Sequence, residues 1–348
     1  MRVLVASSFH ISSTRDLWMK TIAGLRANGV EALPFDLMAR LKLFAFLADK
    51  AGKSKDVTLP RDWTPTTLAY ECVTGAAISH DCDWVLVVSP QYFPGQIADI
   101  LRKVGIRTAA MFTECPYEDT IHTPITASHF DVSLLSDKYS VGLFESFCPR
   151  VEYVPHSFNP ELHYPPESED ERDDNVVFIG TGYQSRVRFM RQVEWPARFD
   201  LYGFWPAQWL RYDAPMRKAI RKKFITTPEE TADIYRQSAA SFSLHREMRY
   251  VGTEESIMEG EAYSLGPRNW ELAASRCFQV SDYRPELVDA FGDTVPIYET
   301  PREMSAQLKR AFDDPSWRRD MAYAQWERAQ PYSCHRTMSV VADVLKAA

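Results

Sequence analysis

The chain lacks the cysteine spacing of a disulfide framework or a zinc site. Its six cysteines, Cys72, Cys82, Cys115, Cys148, Cys277 and Cys334, lie far apart and form no CxxC pair. They read as reduced thiols, and the expected location is cytoplasmic. No apolar run approaches the roughly 20 residues that a membrane span needs. A basic excess is missing too: the net charge of −7 argues against wholesale, sequence-blind binding to nucleic acid and leaves room only for a local basic patch. His80, His122, His129, His163 and His335 have no metal-ligand spacing, and no DxD-type acidic pair stands in a convincing site, so no metal is expected. The opening Met-Arg-Val-Leu-Val-Ala-Ser-Ser turns polar too soon for a signal peptide and reads as a first β-strand. No short-period repeat is present.

What is there describes an ordinary globular enzyme. The chain has 348 residues, about right for two domains, with 45% apolar and 25% charged residues. Short apolar runs at Val3–Ala6, Val30–Phe35, Trp84–Val88, Thr108–Phe112 and Val132–Leu135 alternate with helical spacing at Arg15–Asn28 and Ile97–Val104. Lys42–Leu47 is apolar enough to belong to a helix. Such βαβ alternation predicts a parallel sheet. The proline-rich, polar stretch from Tyr153 to Pro166 and the acidic run Ser168–Asp174, read as solvated, mark a boundary. The alternation then restarts with strands at Val176–Ile179, Phe199–Tyr202, Ser241–Leu244 and Val295–Tyr298, a helix at Thr231–Gln237, and a helical tail broken near Pro315 and Pro331. The fold class expected is α/β, two Rossmann-like domains facing a cleft, with a helical C-terminal tail. The boundaries expected are 1–160 for the first of these domains and 175–330 for the second. Residues 331–348 are expected as a C-terminal helix packing back on the first domain.

The stretch from Ser264 to Asp282 is the most informative. Gly266 and Pro267 suit the start of a helix, and Arg268 and Glu271 then share one face near its N-terminal end. That end carries positive partial charge and open N–H groups, a natural seat for phosphate. Arg268 could add a bidentate phosphate contact, and Glu271 could accept the two hydroxyls of a ribose. The competing reading is an amphipathic helix with a surface ion pair. Gly180 and Gly182 frame a turn after a strand, which could bring backbone N–H groups to a phosphate or be a plain turn. Arg186 could reach a diphosphate, with Arg188 and Arg191 as competitors. His245 and Arg246 follow a strand and could face the same site, or pack locally.

Two residues of the first half could serve as a general base: His10, in the loop after the first strand, and Glu114, just past a later one. Each has a plainer alternative, a backbone-bonded loop histidine and a helix-capping carboxylate. His156, in the interdomain stretch, is a further candidate facing the donor. Between Arg211 and Lys223 stand six basic residues, with Trp205, Trp209 and Tyr212 beside or among them. They could hold nucleic acid or a polyanionic acceptor, or form a solvated helix face.

Several stretches carry a family resemblance: Phe112-Thr-Glu-Cys-Pro-Tyr117, Phe130-Asp-Val-Ser133, Val154-Pro-His-Ser-Phe-Asn-Pro-Glu-Leu-His163, Val176-Val-Phe-Ile-Gly180 followed by Arg186, Leu201-Tyr-Gly203, Gly266-Pro-Arg-Asn-Trp-Glu271 and Phe291-Gly-Asp293. In this order and spacing the sequence resembles the GT-B glycosyltransferases, and within them the CgeB-like, spore-maturation-type group. The resemblance covers most of the chain past residue 80. It implies a nucleotide-diphosphate-sugar donor held by the C-terminal half and an acceptor in the N-terminal half, with no cofactor and no metal. Gly180, Gly182, Arg186, His245, Arg246, Arg268, Asn269 and Glu271 are then the expected donor contacts. Many retaining members carry a glutamate eight residues before the ribose ligand. Here that position is Tyr263, with Glu261 out of register, which leaves the stereochemical outcome open. The acceptor implied is a hydroxyl of a saccharide, small molecule, protein or modified DNA. A DNA glycosyltransferase acting on a hydroxymethylated base and a non-catalytic sugar-nucleotide-binding protein are the alternatives.

Overall fold

The structure, a computed structural model, describes residues 1–7, 13–53, 64–117, 124–211, 213–222, 227–246 and 262–347. It divides into two compact units. The first holds the described residues up to Pro155 together with those from His335 onward, and the second holds the described residues from His156 to Cys334.

The first unit is built on six parallel strands: β1 (Arg2–Ala6), β2 (Glu31–Phe35), β3 (Trp84–Val88), β4 (Arg107–Phe112), β5 (Val132–Leu135) and β6 (Val151–Tyr153), in the order β2-β1-β3-β4-β5-β6. Trp-Val-Leu-Val-Val of β3 is buried at every position, as a central parallel strand covered on both faces must be. One face packs on the helix Ser13–Ala27 through Leu17, Trp18, Ile22 and Leu25, and on Met338, Val341, Ala342 and Leu345 of the C-terminal helix Cys334–Ala347. The indole N–H of Trp18 donates to the Val5 carbonyl at 2.8 Å, so this large side chain is buried without an orphan donor. Tyr70 and Val73 of the helix Pro65–Ser79, with Ile97, Ala98 and Leu101 of the helix Gly95–Lys103, cover the other face.

The second unit repeats the principle with β7 (Asp173–Ile179), β8 (Arg198–Tyr202), β9 (Ile220–Lys222), β10 (Ser238–Ser243), β11 (Phe278–Asp282) and β12 (Ile297–Tyr298). Their order is β12-β11-β10-β7-β8-β9, all parallel. The chain runs outward from β7 to β9, then returns to β10 on the other side of β7. Beyond the carboxyl ends of β7 and β10 lies the topological switch point, where doubly wound sheets place ligands. Phe178, Phe242 and Phe278 fill the core on one side of this sheet, and Phe178 and Phe242 stack with ring centroids 4.8 Å apart. The helices Pro301–Asp313 and Pro315–Ala329 follow, the first closed by a Thr300–Glu303 capping box.

The acidic run before β7 is not simply solvated. Arg172 lies within it, its side chain only 5% exposed. Its guanidinium donates to the carbonyls of Arg236, Ser238 and Ser275 and pairs with Glu169. A local excess of carboxylates hid one arginine whose carbonyl partners lie more than 60 positions away. The second unit begins at His156, and β7 starts at Asp173.

Candidate functional site

The site is built on the loops that follow β7, β10 and β11. Arg186 sits in the helix Gln184–Met190 and is only 8% exposed. Its Nε donates to the carbonyl of Leu244 at 2.9 Å and its Nη1 to that of Thr181 at 3.1 Å. One guanidinium thus ties the loop after β7 to the loop after β10, at the switch point itself. Arg268 comes from the helix Pro267–Ala274 and donates through Nη2 to the Ile179 carbonyl at the end of β7. Both guanidinium groups lie over the ring of Phe178, with centroid distances of 5.4 Å for Arg186 and 4.3 Å for Arg268. The ring face offers each cation a partial substitute for water. Burial, and then the neighbouring charge of Arg268, depress the pKa of Arg186 to about 9, so it stays charged at neutral pH. The Nε of Arg268 is buried and has no hydrogen-bond partner among the described residues. Two like charges with spare donors make this a site that favours an anion.

The helix Pro267–Ala274 starts at Gly266 with no side-chain cap. The Gly266 N–H donates to His245 Nε2 at 3.4 Å. On the other side of the imidazole, Nδ1 is 2.6 Å from Asp282 Oδ1, and the His245 N–H donates to Asp282 Oδ2 at 2.9 Å. The geometry fits an imidazole protonated at Nδ1 and accepting at Nε2. Burial lowers the His245 pKa despite the neighbouring Asp282. For Asp282, the interactions with His245 outweigh burial and lower its pKa in turn. His245 and Asp282 thus hold the helix entrance in place. Arg246 reaches toward the Tyr183 hydroxyl at 3.5 Å. Glu271 is 7% exposed, one turn into the helix from Arg268, and its charge bears on Tyr235, whose phenol burial pushes up. Asp282 ends the strand whose sequence drew attention, but nothing in the sequence pairs it with His245. Glu286 was not expected either. It is 3% exposed and accepts the Leu265 N–H at 2.6 Å, fixing the approach to Gly266.

At three places the candidate groups have other partners within the fold. The N–H groups of Gly180 and Gly182 do not point at an open phosphate seat. They donate to the carbonyls of Tyr202 (3.0 Å) and Phe204 (2.8 Å) and extend the β7–β8 pairing. Space is tight at both positions, and tightest at Gly182, where the neighbour is a rigid indole ring. A Cβ at Gly180 would lie 2.7 Å from Arg268 Nη2, and one at Gly182 would lie 2.3 Å from Trp205 Cε3. Asn269 is fully buried and turns away from Arg268. Its Nδ2 donates to Gln279 Oε1 and Ser281 Oγ of β11, so it locks helix to sheet. In the basic cluster, Arg217 donates to the Leu210 and Arg211 carbonyls, Arg221 pairs with Asp200, and Lys222 pairs with Glu230. Much of that charge is committed within the fold. Tyr212 and Lys223 lie outside the described residues.

Arg188 and Arg191 are exposed and do not join Arg186 at the switch point. His156 opens the second unit and is half-buried. In the first unit, Glu114 follows β4 in a turn closed by the Tyr117 N–H on its carbonyl. It lies just past Thr113, whose hydroxyl is hydrogen-bonded to Ser89 beyond the end of β3. His10 and Glu261 lie outside the described residues, while the Tyr263 hydroxyl donates to Asp289 at 2.6 Å. Among the described residues, no three His, Cys, Asp or Glu side chains are grouped as a metal site. No helix among them is long and apolar enough to cross a membrane.

Comparison with known proteins agrees with this architecture. Residues 185–345 match the model of the family described as glycosyl transferase-like. No curated protein matches the sequence significantly. Among solved structures, the chain is similar to HepE of Anabaena in complex with UDP-glucose, with a TM-score of 0.65, 11% identity and 100% of both chains covered. It is similar to a glycosyltransferase from Rickettsia africae, with a TM-score of 0.61 and 9% identity over 99% of this chain and 98% of that one. It is also similar to a UDP-GlcNAc 2-epimerase from Neisseria meningitidis bound to UDP-GlcNAc, with a TM-score of 0.54, 11% identity and 100% of both chains covered. The chain therefore has the GT-B fold, and residues 185–345 are similar to the glycosyl transferase-like family.

Proposed function

We propose that this protein transfers a sugar from a nucleoside-diphosphate-sugar to an acceptor hydroxyl without a metal ion, as a member of the CgeB-like group. The observation that carries the reading is the pair Arg186 and Arg268, two buried or half-buried guanidinium groups on one phenyl ring at the switch point. A diphosphate there gains two cationic forks and the positive end of the Pro267–Ala274 helix. Glu271, on the same helix, accepts the ribose hydroxyls. During reaction the acceptor oxygen attacks the anomeric carbon, the bond to the diphosphate oxygen breaks, and the developing negative charge stays with Arg186 and Arg268. Glu114 or His10 takes the acceptor's proton. The three solved relatives support a sugar-nucleotide ligand, since two of them hold UDP-glucose and UDP-GlcNAc, and UDP-sugars are the first donors to try.

A thermal-shift screen of nucleoside-diphosphate-sugars tests the reading, because a ligand that binds only the folded state raises its melting temperature. Any donor found is then incubated with mixed acceptor alcohols in EDTA. Release of the nucleoside diphosphate that depends on acceptor is the expected result. A chain that no sugar nucleotide stabilises does not have this function, and one that binds a donor without consuming it is a binding protein.

A further inference from the structure

A second feature of the C-terminal unit owes nothing to the switch point. Gln184, Val187, Arg188 and Arg191 fall at i, i+3, i+4 and i+7 and share one face at the helix Gln184–Met190. Arg186, which reaches the switch point, is roughly 200° around the helix from Arg188. Together with Trp209, Arg211 and Asp213, that face lines a cavity of about 490 Å³. We propose that this cavity binds an anionic sugar, a single hexose carrying a phosphate or a carboxylate.

The charge balance points that way. The lining brings three arginines against one carboxylate, and that carboxylate is already committed. Asp213 Oδ1 caps the helix Ala214–Ala219 by accepting the Met216 N–H at 2.9 Å, while Oδ2 accepts from Arg191 Nε at 2.7 Å. The Arg191 Nη2 donates to the Trp209 carbonyl at 2.5 Å. Asp213 thus balances the charge of Arg191 and fixes it in place, and Arg188 and Arg211 add two further cations to the lining. A planar guanidinium fork matches the two oxygens of a carboxylate or phosphate. The half-buried Trp209 supplies an apolar surface for the C–H face of a sugar ring, and Gln184 supplies an amide for its hydroxyls. The volume is that of a small-molecule pocket, not of a groove that tracks a polymer.

The test uses the intact chain and calorimetric titration with glucose 6-phosphate and glucuronate, against glucose and inorganic phosphate as controls. The double variant Arg188→Gln with Arg211→Gln leaves the Arg191–Asp213 pair untouched. The expected result is that one or both anionic sugars bind at least roughly tenfold more tightly than either control, and that the double variant loses about tenfold or more of that affinity. Which of the two binds identifies the anion. UDP affinity should be the same in parent and variant, so this outcome is independent of the donor site. The proposal is overturned if neither anionic sugar binds, if phosphate or glucose alone binds as well, or if the double variant binds like the parent. A matching loss of UDP affinity in the variant would also overturn it, by showing one site and not two.

Discussion

Replacing Arg268 by alanine separates binding from folding at the switch point. In binding, the change removes a charge-assisted contact to the diphosphate, a loss of about 1.5–3 kcal/mol. That corresponds to a dissociation constant weaker by a factor of roughly 10–150. In folding, two effects oppose each other. The variant loses a hydrogen bond to the Ile179 carbonyl and the contact with the Phe178 ring, the ring contact being worth about 0.5–2 kcal/mol. It also removes the like charge beside Arg186, whose pKa burial and Arg268 together hold at about 9. The melting temperature should therefore move by only a few degrees, about 2–4 °C per kcal/mol of net change in a unit of this size, while affinity falls sharply. Calorimetric titration with UDP and a thermal melt on the same samples read the two quantities. Arg268→Lys keeps the charge but not the fork, and should fall between parent and alanine variant. Unchanged UDP affinity in a folded Arg268→Ala protein would refute the phosphate role.

Four further outcomes follow from the geometry. Gly182→Ala drives a methyl group against Trp205 and should lower stability by about 1–3 kcal/mol in a denaturant titration; a melt identical to the parent's would show that the strand-to-helix turn yields freely. Glu271→Ala should weaken UDP binding by about 1.5–3 kcal/mol yet leave the affinity for inorganic pyrophosphate, which has no ribose, as it was; equal losses for both would remove the ribose assignment. Glu114→Gln should reduce turnover by about 10²–10⁴-fold with donor affinity nearly intact, and near-parental turnover would move the base elsewhere. The folded-state pKa of His245 is lowered from 6.5 by burial, so its contribution to stability is fully present above about pH 6.5 and is lost as pH falls through the lower folded value. Urea unfolding from about pH 8 to about pH 5 should show a shallower decline in His245→Asn than in the parent, and parallel curves would contradict the buried, neutral imidazole.

Much of the fold was legible because parallel strands in the middle of a sheet are continuous apolar runs. Trp84–Val88 and Val132–Leu135 have the same limits in the sequence and in the structure. The short edge strand Ile220–Lys222 was not legible: it carries two basic residues out of three and reads as part of a charged surface. The helix Pro267–Ala274 was visible from Gly266 and Pro267, and with it the neighbourhood of Arg268 and Glu271. What the sequence could not show were the long-range partners. His245 meets Asp282 across 37 positions, and Arg268 reaches the Ile179 carbonyl across 89. Gly180 and Gly182 were read for their backbone freedom, whereas the structure uses them for close approach by Arg268 and Trp205. Asn269 stands beside Arg268 in sequence, but on a helix adjacent residues point about 100° apart, and this one points into the core.

The central claim, that Arg186 and Arg268 hold a nucleoside diphosphate, is tested most directly by ³¹P NMR of UDP titrated with the protein. The account predicts that both phosphorus resonances shift or broaden with the parent chain. It predicts that both stay at their free positions with a folded Arg186→Met, Arg268→Met double variant. Phosphorus signals that the parent leaves untouched, or that the double variant perturbs to the same extent, would contradict it.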